Sequence, residues 1–412
     1  MQLSIIILNF NVRYFLELCV ISVQNSIQNI DAEIIVVDNN SSDDSCKMMK
    51  SRFPEIKLIE NKDNLGFPKG NNIGVNAAQG EYICILNPDT VVAEDTFEKI
   101  IKSFSPNHYF QPTTHNLQPT THNSQLLASN LQPQTSNPQP QTSKIGIIGC
   151  KLIDGTGNFL PESKRGLPTP FVAFTKIFGL YKISNCFGKY YAQHLSENQS
   201  GKVDVLVGAF MVMKRELYTE IGGFDENCFM YSDDIDLSYL VTKKGFFNYY
   251  FHETSVIHYK GESTVKDEKY MKRFQDAMNF FYKKHFKVSI FFYVFMKVGI
   301  VLFSFIKKNQ GQPKTKLQPE NYILISDNEN LRQKLQNQFQ KQIEIHDLTK
   351  SIASKSNCEI IFDNNFIDFK TIIQLLESHK NKNFTFKILP KQSDFLIGSN
   401  SSDDRGDIIT II

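Results

Sequence analysis

Tryptophan is absent from the chain, and its seven cysteines are spread too widely for a zinc knuckle or a redox pair. Cys19, Cys46, Cys84, Cys150, Cys186, Cys228 and Cys358 are odd in number and dispersed. That usage argues against a disulfide framework and predicts reduced thiols, most of them small core residues, in the cytoplasm. No basic leader or small-residue cleavage site opens the sequence "MQLSIIILNFNVRYF", so no signal peptide is expected there. A large charge of either sign is lacking too. With a net charge of +2, nothing points to nucleic acid as a partner.

What is present suits a globular protein of more than one unit. The chain has 412 residues, of which 41% are apolar and 21% charged, enough to bury a sizeable core. Strand and helix patterns alternate over the first hundred residues. "LSIIILNF" is a continuous β-branched run, as a parallel strand covered on both faces would be. A helix follows over roughly Val12 to Gln28, then the strand "EIIVVDNNS", the helix "SDDSCKMMKSRF" and the short strand "IKLIENK". The helix "FPKGNNIGVNAAQ" and the strand "EYICILNPD" complete this part. The order predicts a parallel sheet with right-handed crossovers and a ligand site at the strands' carboxyl ends.

Residues 105–143 interrupt the pattern with a seven-residue repeat of the form "LQPTTHN" that carries no Asp, Glu, Lys or Arg. Its prolines and missing apolar seam exclude a coiled coil, and its composition predicts a disordered insertion. His115 and His122 recur as part of the repeat rather than as metal ligands. Strands resume at "KIGIIGCKLID" and "VDVLVGAFMVMKRELY", and a helix is expected over 265–286. Val288 to Ile306 is an apolar stretch whose only charge is Lys297, flanked by lysines. It predicts a helix in the membrane interface, with a span or a buried helix as alternatives. A polar linker then leads to a second α/β pattern over 320–412.

Four places supply the residue types that moving a sugar between a diphosphate and a hydroxyl requires. Such chemistry needs an oxygen-ligated divalent metal or positive groups at the phosphates, and a carboxylate base for the acceptor hydroxyl. Asp89 ends a strand in "ILNPDT", where a carboxylate can hold Mg2+ or Mn2+ against phosphate oxygens, although Asn-Pro-Asp is also good turn chemistry. Asp38 ends the strand "EIIVVD", where it can accept from a base imide or a ribose hydroxyl, or cap a helix. Asp233, Asp234 and Asp236 cluster at a helix start, where acids also complement the helix dipole. His258 follows an apolar strand in "SVIHYKGEST".

The order of "SIIILNFN", "IIVVDNNSSD", "NLGFPKGNNIGV", "ILNPDT", "VGAFMVMKRELYTEIGGFDENCFMYSDDIDLSYL" and "HYKGES" resembles family 2 glycosyltransferases, especially the bacterial rhamnosyltransferase-like branch. The resemblance covers about residues 1–285 apart from the insertion. It implies the A-type glycosyltransferase fold, an α/β domain with a mostly parallel Rossmann-like sheet. The units expected are a transferase domain at 1–285, a membrane-associating helix at 286–308, a linker at 309–319 and a small Rossmann-like α/β domain at 320–412. It further implies an inverting transfer from a nucleotide-diphosphate sugar to a saccharide or lipid-linked acceptor in cell-surface polysaccharide synthesis, peripherally at the cytoplasmic membrane surface. Asn9, Asn11, Asp38, Gly66, Phe67, Asn71 and Asn87 are the implied donor-binding residues; the chain departs from the family's Gly-Phe-Ala-x-Gly run with Pro68 and Lys69, and Lys69 can pair with phosphate. Asp89 and His258 are implied at the metal, and Asp234 as the base with Asp233 beside it. The usual Asp-x-Asp is here Asn87-Pro88-Asp89, which leaves one carboxylate.

Two other classes compete. A sugar nucleotidyltransferase shares the sheet and metal but needs a Gly-rich loop with Arg and Lys where this chain has "NFNVRYF". An inactive scaffold is the other, and the C-terminal unit is expected to serve interaction or regulation.

Overall fold

A computed structural model of the chain describes residues 1–104, 144–169, 172, 190–260, 268–286, 319–347, 357–399 and 406–412, with 268–271 as backbone only. The repeat insertion at 105–143, Gly261, Ser263, the apolar segment 288–306 and linker residues 309–318 lie outside the described residues. Among the described residues, no helix is long and apolar enough to cross a membrane.

The first sheet grows from the alternation seen in the sequence. β1 (Leu3–Asn9), β2 (Ala32–Asp38), β3 (Lys57–Glu60) and β4 (Tyr82–Leu86) are parallel in the order β3-β2-β1-β4. β1 and β4 are central, and every residue of β4 is buried, which explains their unbroken apolar runs. α1 (Arg13–Ser26), α2 (Ser45–Arg52) and α3 (Gly66–Asn76) are the crossovers. α3 lies close against the sheet: a Cβ on Gly74 would meet Ile6 Cγ2 at 2.4 Å.

Beyond β4 the sheet changes sense. After β5 (Thr90–Val91), α4 (Thr96–Ser103), β6 (Ile145–Ile153) and β7 (Gly201–Val203) comes β8 (Phe210–Lys214), which pairs antiparallel with both β4 and β6. Short α5 (Arg215–Glu220) and α6 (Asp233–Lys243) lead to β9 (Phe247–His258), which is parallel to β6 and antiparallel to β5 and β7.

The single strand expected over "VDVLVGAFMVMKRELY" is therefore two strands and a helix. Between Val203 and Phe210 the backbone leaves the ladder because side chains take its donors. Leu206 N donates to Ser238 Oγ at 3.3 Å, and Gly208 N to Asp234 Oδ2 at 3.2 Å.

α7 (Glu268–His285) packs against α6. A second sheet follows, in the order β11-β10-β12-β13-β14-β15. Its strands are β10 (Asn321–Ile325), β11 (Ile343–His346), β12 (Cys358–Asp363), β13 (Phe384–Leu389), β14 (Phe395–Gly398) and β15 (Asp407–Thr410), with α8 (Glu329–Phe339) and α9 (Phe369–His379) between them. Its first four strands are parallel, and β14 and β15 close it antiparallel.

One continuous apolar core joins the two sheets, running from β1 and α1 to β12, β13 and Phe395. Polar contacts fix the join. Tyr14 meets Phe395 edge-on at 4.8 Å between ring centroids. Glu94 accepts from the N–H groups of Phe369 and Lys370, both at 2.8 Å, and so satisfies orphan donors at the start of α9. Buried Glu17 is ion-paired to Arg52 and also accepts from Ser393 Oγ at 3.1 Å.

Removing Arg52 strands the Glu17 charge in a nearly dry site. Arg52→Ala is expected to lower unfolding stability by about 2 kcal/mol, less than the roughly 3–5 kcal/mol of a fully buried broken pair because Arg52 is partly exposed. Glu17→Gln in the Arg52→Ala background recovers most of that loss. Chemical denaturation of the four proteins checks the pair, and an Arg52→Ala midpoint equal to the wild type contradicts it.

Candidate active site

At the carboxyl edge of β1 and β4 the chain forms a cleft of about 260 Å3. Its floor comes from the strand ends, with Leu8, Asn87 and Pro88, and from the loop at Gly208. The antiparallel sense of β8 puts that loop beside the end of β4, where Asn87 N donates to Ala209 O at 3.0 Å.

Gly66 and Phe67 close one side. Gly66 has φ +81, and a Cβ there would stand 2.7 Å from Phe229 O, so only glycine fits between the start of α3 and the 229 loop. Phe67 N donates to that same Phe229 oxygen at 2.9 Å.

The opposite wall carries the acids. Asp233 and Asp234 begin α6 and both line the cleft, so the helix does not turn one of them away. Asp234 Oδ2 is ion-paired to Arg165 and accepts from Gly208 N. Burial works against the Arg165 cation, but Asp234 outweighs it and holds the proton there more firmly than usual.

Asp233 has no ion-pair partner among the described residues, and its Oδ1 accepts no hydrogen bond there. Burial, and after it the negative charge of Asp234, push the Asp233 carboxyl well above the ordinary carboxylate range. Tyr231, two residues earlier, has φ 80, which is strained for a bulky side chain and occurs at the cleft itself.

Asp236 faces away from the cleft, where Lys284 Nζ and His285 Nε2 of α7 bind its two oxygens. Lys284 also holds Asp225 at 2.6 Å. Arg273, from α7, reaches the cleft mouth over the Phe229 ring, 5.2 Å from its centroid.

Asp89 and His258 stand just behind Asn87. The pairing of Thr90 with His258 across β5 and β9 brings them together, with Asp89 Oδ1 3.4 Å from His258 Nε2. Asn87 Nδ2 lies 3.4 Å from the same nitrogen. Both residues are at most 6% exposed, and Asp89 Oδ1 and His258 Nδ1 have no hydrogen-bond partner among the described residues. An unsatisfied carboxylate oxygen beside an imidazole nitrogen fits a divalent cation that takes its other ligands from phosphate and water. No cluster of three or more His, Cys, Asp or Glu occurs among the described residues.

The remaining expected donor residues are arranged differently. Asp38 is 2% exposed, and its oxygens accept from Asn9 Nδ2 at 2.7 Å, Ser41 Oγ at 2.6 Å and Ser41 N at 2.8 Å. Its neighbour Asn39 lines the cleft instead and donates to Gly66 O at 3.0 Å. Asn11, in a left-handed conformation, accepts from Ser42 N at 2.7 Å. Asn71 is fully buried and donates to Phe67 O at 2.9 Å. Lys69 is exposed and does not line the cleft. Arg165, Asn39, Gly208 and Arg273 were not singled out in the sequence.

A mostly parallel sheet with helices on its faces, closed by antiparallel strands, is the A-type glycosyltransferase fold. Residues 4–155 match the sequence model of Glycosyl transferase family 2.

Over 245 residues it is 21% identical to N-acetylglucosaminyl-diphospho-decaprenol L-rhamnosyltransferase of Mycobacterium tuberculosis, covering 57% of this chain and 68% of that one. Over 92 residues it is 37% identical to GalNAc(5)-diNAcBac-PP-undecaprenol beta-1,3-glucosyltransferase of Campylobacter jejuni, covering 21% and 29%. Among solved structures, a mannosyltransferase from Pyrobaculum calidifontis with GDP-Man and Mn2+ matches at TM-score 0.41 and 16% identity, over 67% of this chain and 61% of that one.

The raised Asp233 carboxyl sets a stability trend with pH. The folded state favours its protonated form, so stability is lost as pH rises from the ordinary carboxylate value through the raised one. Asp233→Asn removes that dependence. Thermal melts should show the variant gaining on the wild type between acidic and mildly alkaline pH, and a constant difference across pH contradicts the assignment.

Proposed function

We propose that the chain is an inverting glycosyltransferase that moves a sugar from a nucleotide-diphosphate donor to a saccharide or lipid-linked saccharide acceptor. The observation that carries this reading is the contrast within the acid wall. Asp234 is neutralised by Arg165, while Asp233, beside it, is unpaired and raised toward neutral pH. A general base is most effective with a pKa near the working pH, so the Asp233–Asp234 pair serves as the base, with Asp233 the member suited to take the proton.

In the displacement, the acceptor hydroxyl loses its proton to that carboxylate as its oxygen bonds to the anomeric carbon. The bond from that carbon to the diphosphate breaks on the opposite face, and the configuration inverts. Arg165 holds Asp234 in place, while burial and, after it, the neighbouring Asp234 charge keep Asp233 basic against the opposing Arg165 charge. Asp89 and His258 would hold Mg2+ or Mn2+, which when bound offsets charge on the departing diphosphate. Gly66, Phe67, Asn87 and Asn39 shape the sugar end of the cleft, with Asn9 and Asp38 as a rigid support next to Asn39.

Several further readings belong to this proposal. Rhamnose as the transferred sugar, with a deoxythymidine diphosphate donor ahead of uridine diphosphate, follows the rhamnosyltransferase likeness. The names of both relatives place a polyprenol in their substrates, and the apolar, lysine-flanked sequence at 288–306 supports work on a lipid-linked acceptor at the inner membrane surface. Residues 1–285 are assigned the transferase unit and 320–412 a small α/β unit built onto it.

Purified full-length chain should release nucleoside diphosphate from one member of a sugar-nucleotide panel. Asp233→Asn should reduce kcat by about 100-fold or more, the usual scale for a lost general base. Asp89→Ala should weaken Mn2+ binding measured by electron paramagnetic resonance. Pyrophosphate release points to a nucleotidyltransferase instead, and silence toward every donor points to an inactive scaffold.

A further inference from the structure

The mouth of the cleft carries a charge that the displacement above does not use. Among the described residues lining the cleft, Arg273 is the only cation, and Asp233 and Asp234 are the only anions. Arg165 does not line it and is engaged by Asp234.

Arg273 has no such commitment. It is exposed, and its guanidinium makes no ion pair or hydrogen bond among the described residues. Its contact is the Phe229 ring, 5.2 Å away at the centroid. A ring face attracts the cation but offers no oxygen acceptor, so the N–H fork is left available for a phosphate.

The ring beneath it is fixed, although Phe229 is 41% exposed. Phe229 O accepts from Phe67 N at 2.9 Å, and a Cβ on Gly66 would stand 2.7 Å from Phe229 Cδ2. The loop and the start of α3 thus hold the ring, and the ring holds the arginine at the mouth.

Position decides which substrate the cation meets. Phe229 precedes Asp233 by four residues, and Met230 and Tyr231 between them also line the cleft. Asp233 takes the acceptor's proton in the reading above, so Arg273 stands on the acceptor side. The carboxylate–imidazole pair assigned to the donor's diphosphate lies behind Asn87 instead.

An acceptor whose sugar carries a phosphate brings negative charge toward two carboxylates, of which only Asp234 is compensated. A free arginine fork beside them offsets that repulsion and can bind two phosphate oxygens at once. The helix that bears it also has a direction. α7 ends at His285, and the apolar, lysine-flanked sequence 288–306 begins three residues later.

We propose that Arg273, held over Phe229, is an acceptor-specificity residue that binds a phosphate attached to the acceptor sugar and so selects phosphate-linked over neutral glycosides. The proposal rests on the transferase reading and adds to it the charge of the acceptor and the residue that reads it.

Steady-state transfer by the full chain tests it, with the sugar nucleotide it hydrolyses fastest as donor. The acceptor probes are N-acetylglucosamine, glucose and galactose, each as the undecyl diphosphate, the neutral undecyl glycoside and the 1-phosphate. For at least one sugar, wild-type kcat/KM should favour the undecyl diphosphate over the neutral glycoside by about tenfold or more. Arg273→Gln should cut that preference about tenfold through the acceptor KM, the scale of one lost charge-assisted hydrogen bond. Arg273→Lys, which keeps the charge but not the fork, should restore part of it. A preference that extends to the 1-phosphate assigns recognition to the charge alone, and one confined to the undecyl diphosphate assigns it to the lipid-linked group.

No preference in the wild type, or one that Arg273→Gln leaves unchanged, overturns the proposal. So does an Arg273→Gln effect confined to the sugar-nucleotide KM, which puts the cation at the donor. Donor hydrolysis separates the two readings. Its absence in the wild type overturns the transferase reading and this one together, whereas hydrolysis without transfer to any phosphate-linked probe overturns this one alone.

Discussion

Arg165 and Asp234 come from segments 69 residues apart and meet in a wall that is nearly closed to solvent. Neither could be there alone. A buried guanidinium needs an anion, and two adjacent buried carboxylates repel unless one is compensated. Once Arg165 binds Asp234, the charge problem passes to Asp233, which resolves it by holding a proton more readily than an ordinary aspartate. Asp234 also holds Gly208 N, just ahead of β8, in the loop that lines the floor of the cleft.

The sheet explains why these groups can meet. Parallel strands deliver Asn9, Asp38 and Asn87 to one edge, and the antiparallel β8 returns the Gly208 loop to that edge. β5 and β9 then align Asp89 with His258. The second sheet anchors the same segments: Glu94, five residues past Asp89, holds the start of α9, and Ser255 of β9 donates to Glu377 of α9 at 3.2 Å. The C-terminal unit is thus continuous with the core that supports the site, a closer association than a loosely tethered regulatory domain would have.

Much of the fold was legible because buried parallel strands need unbroken apolar runs, as in "LSIIILNF" and "YICIL". β7 and β15 left no such trace, being short, partly exposed and paired at sheet margins. The run over "VDVLVGAFMVMKRELY" misled because its apolar residues serve a loop, a strand and a helix in turn, and only tertiary hydrogen bonds divide them. In the site, a strand end revealed Asn87 and Asp89, and a helix start the 233–234 acids, as chemistry-bearing positions. Arg165 lies in the irregular stretch "PESKRGLPTP", where nothing periodic marks a partner so far along the chain. Asp38 carried a readable signal, a polar group ending a buried strand, but the sequence could not show that Asn9 and Ser41 would occupy both of its oxygens.

The account turns on which carboxylate is free to take a proton, and the pH dependence of kcat/KM reports that group in the free enzyme. For the wild type, the acidic limb should lie well above the ordinary aspartate value of about 4. In Asp234→Asn it should move down, because burial remains but the Asp234 charge that adds to it is gone and Arg165 is released beside Asp233. A limb already near the ordinary value in the wild type, and unmoved in the variant, would contradict it.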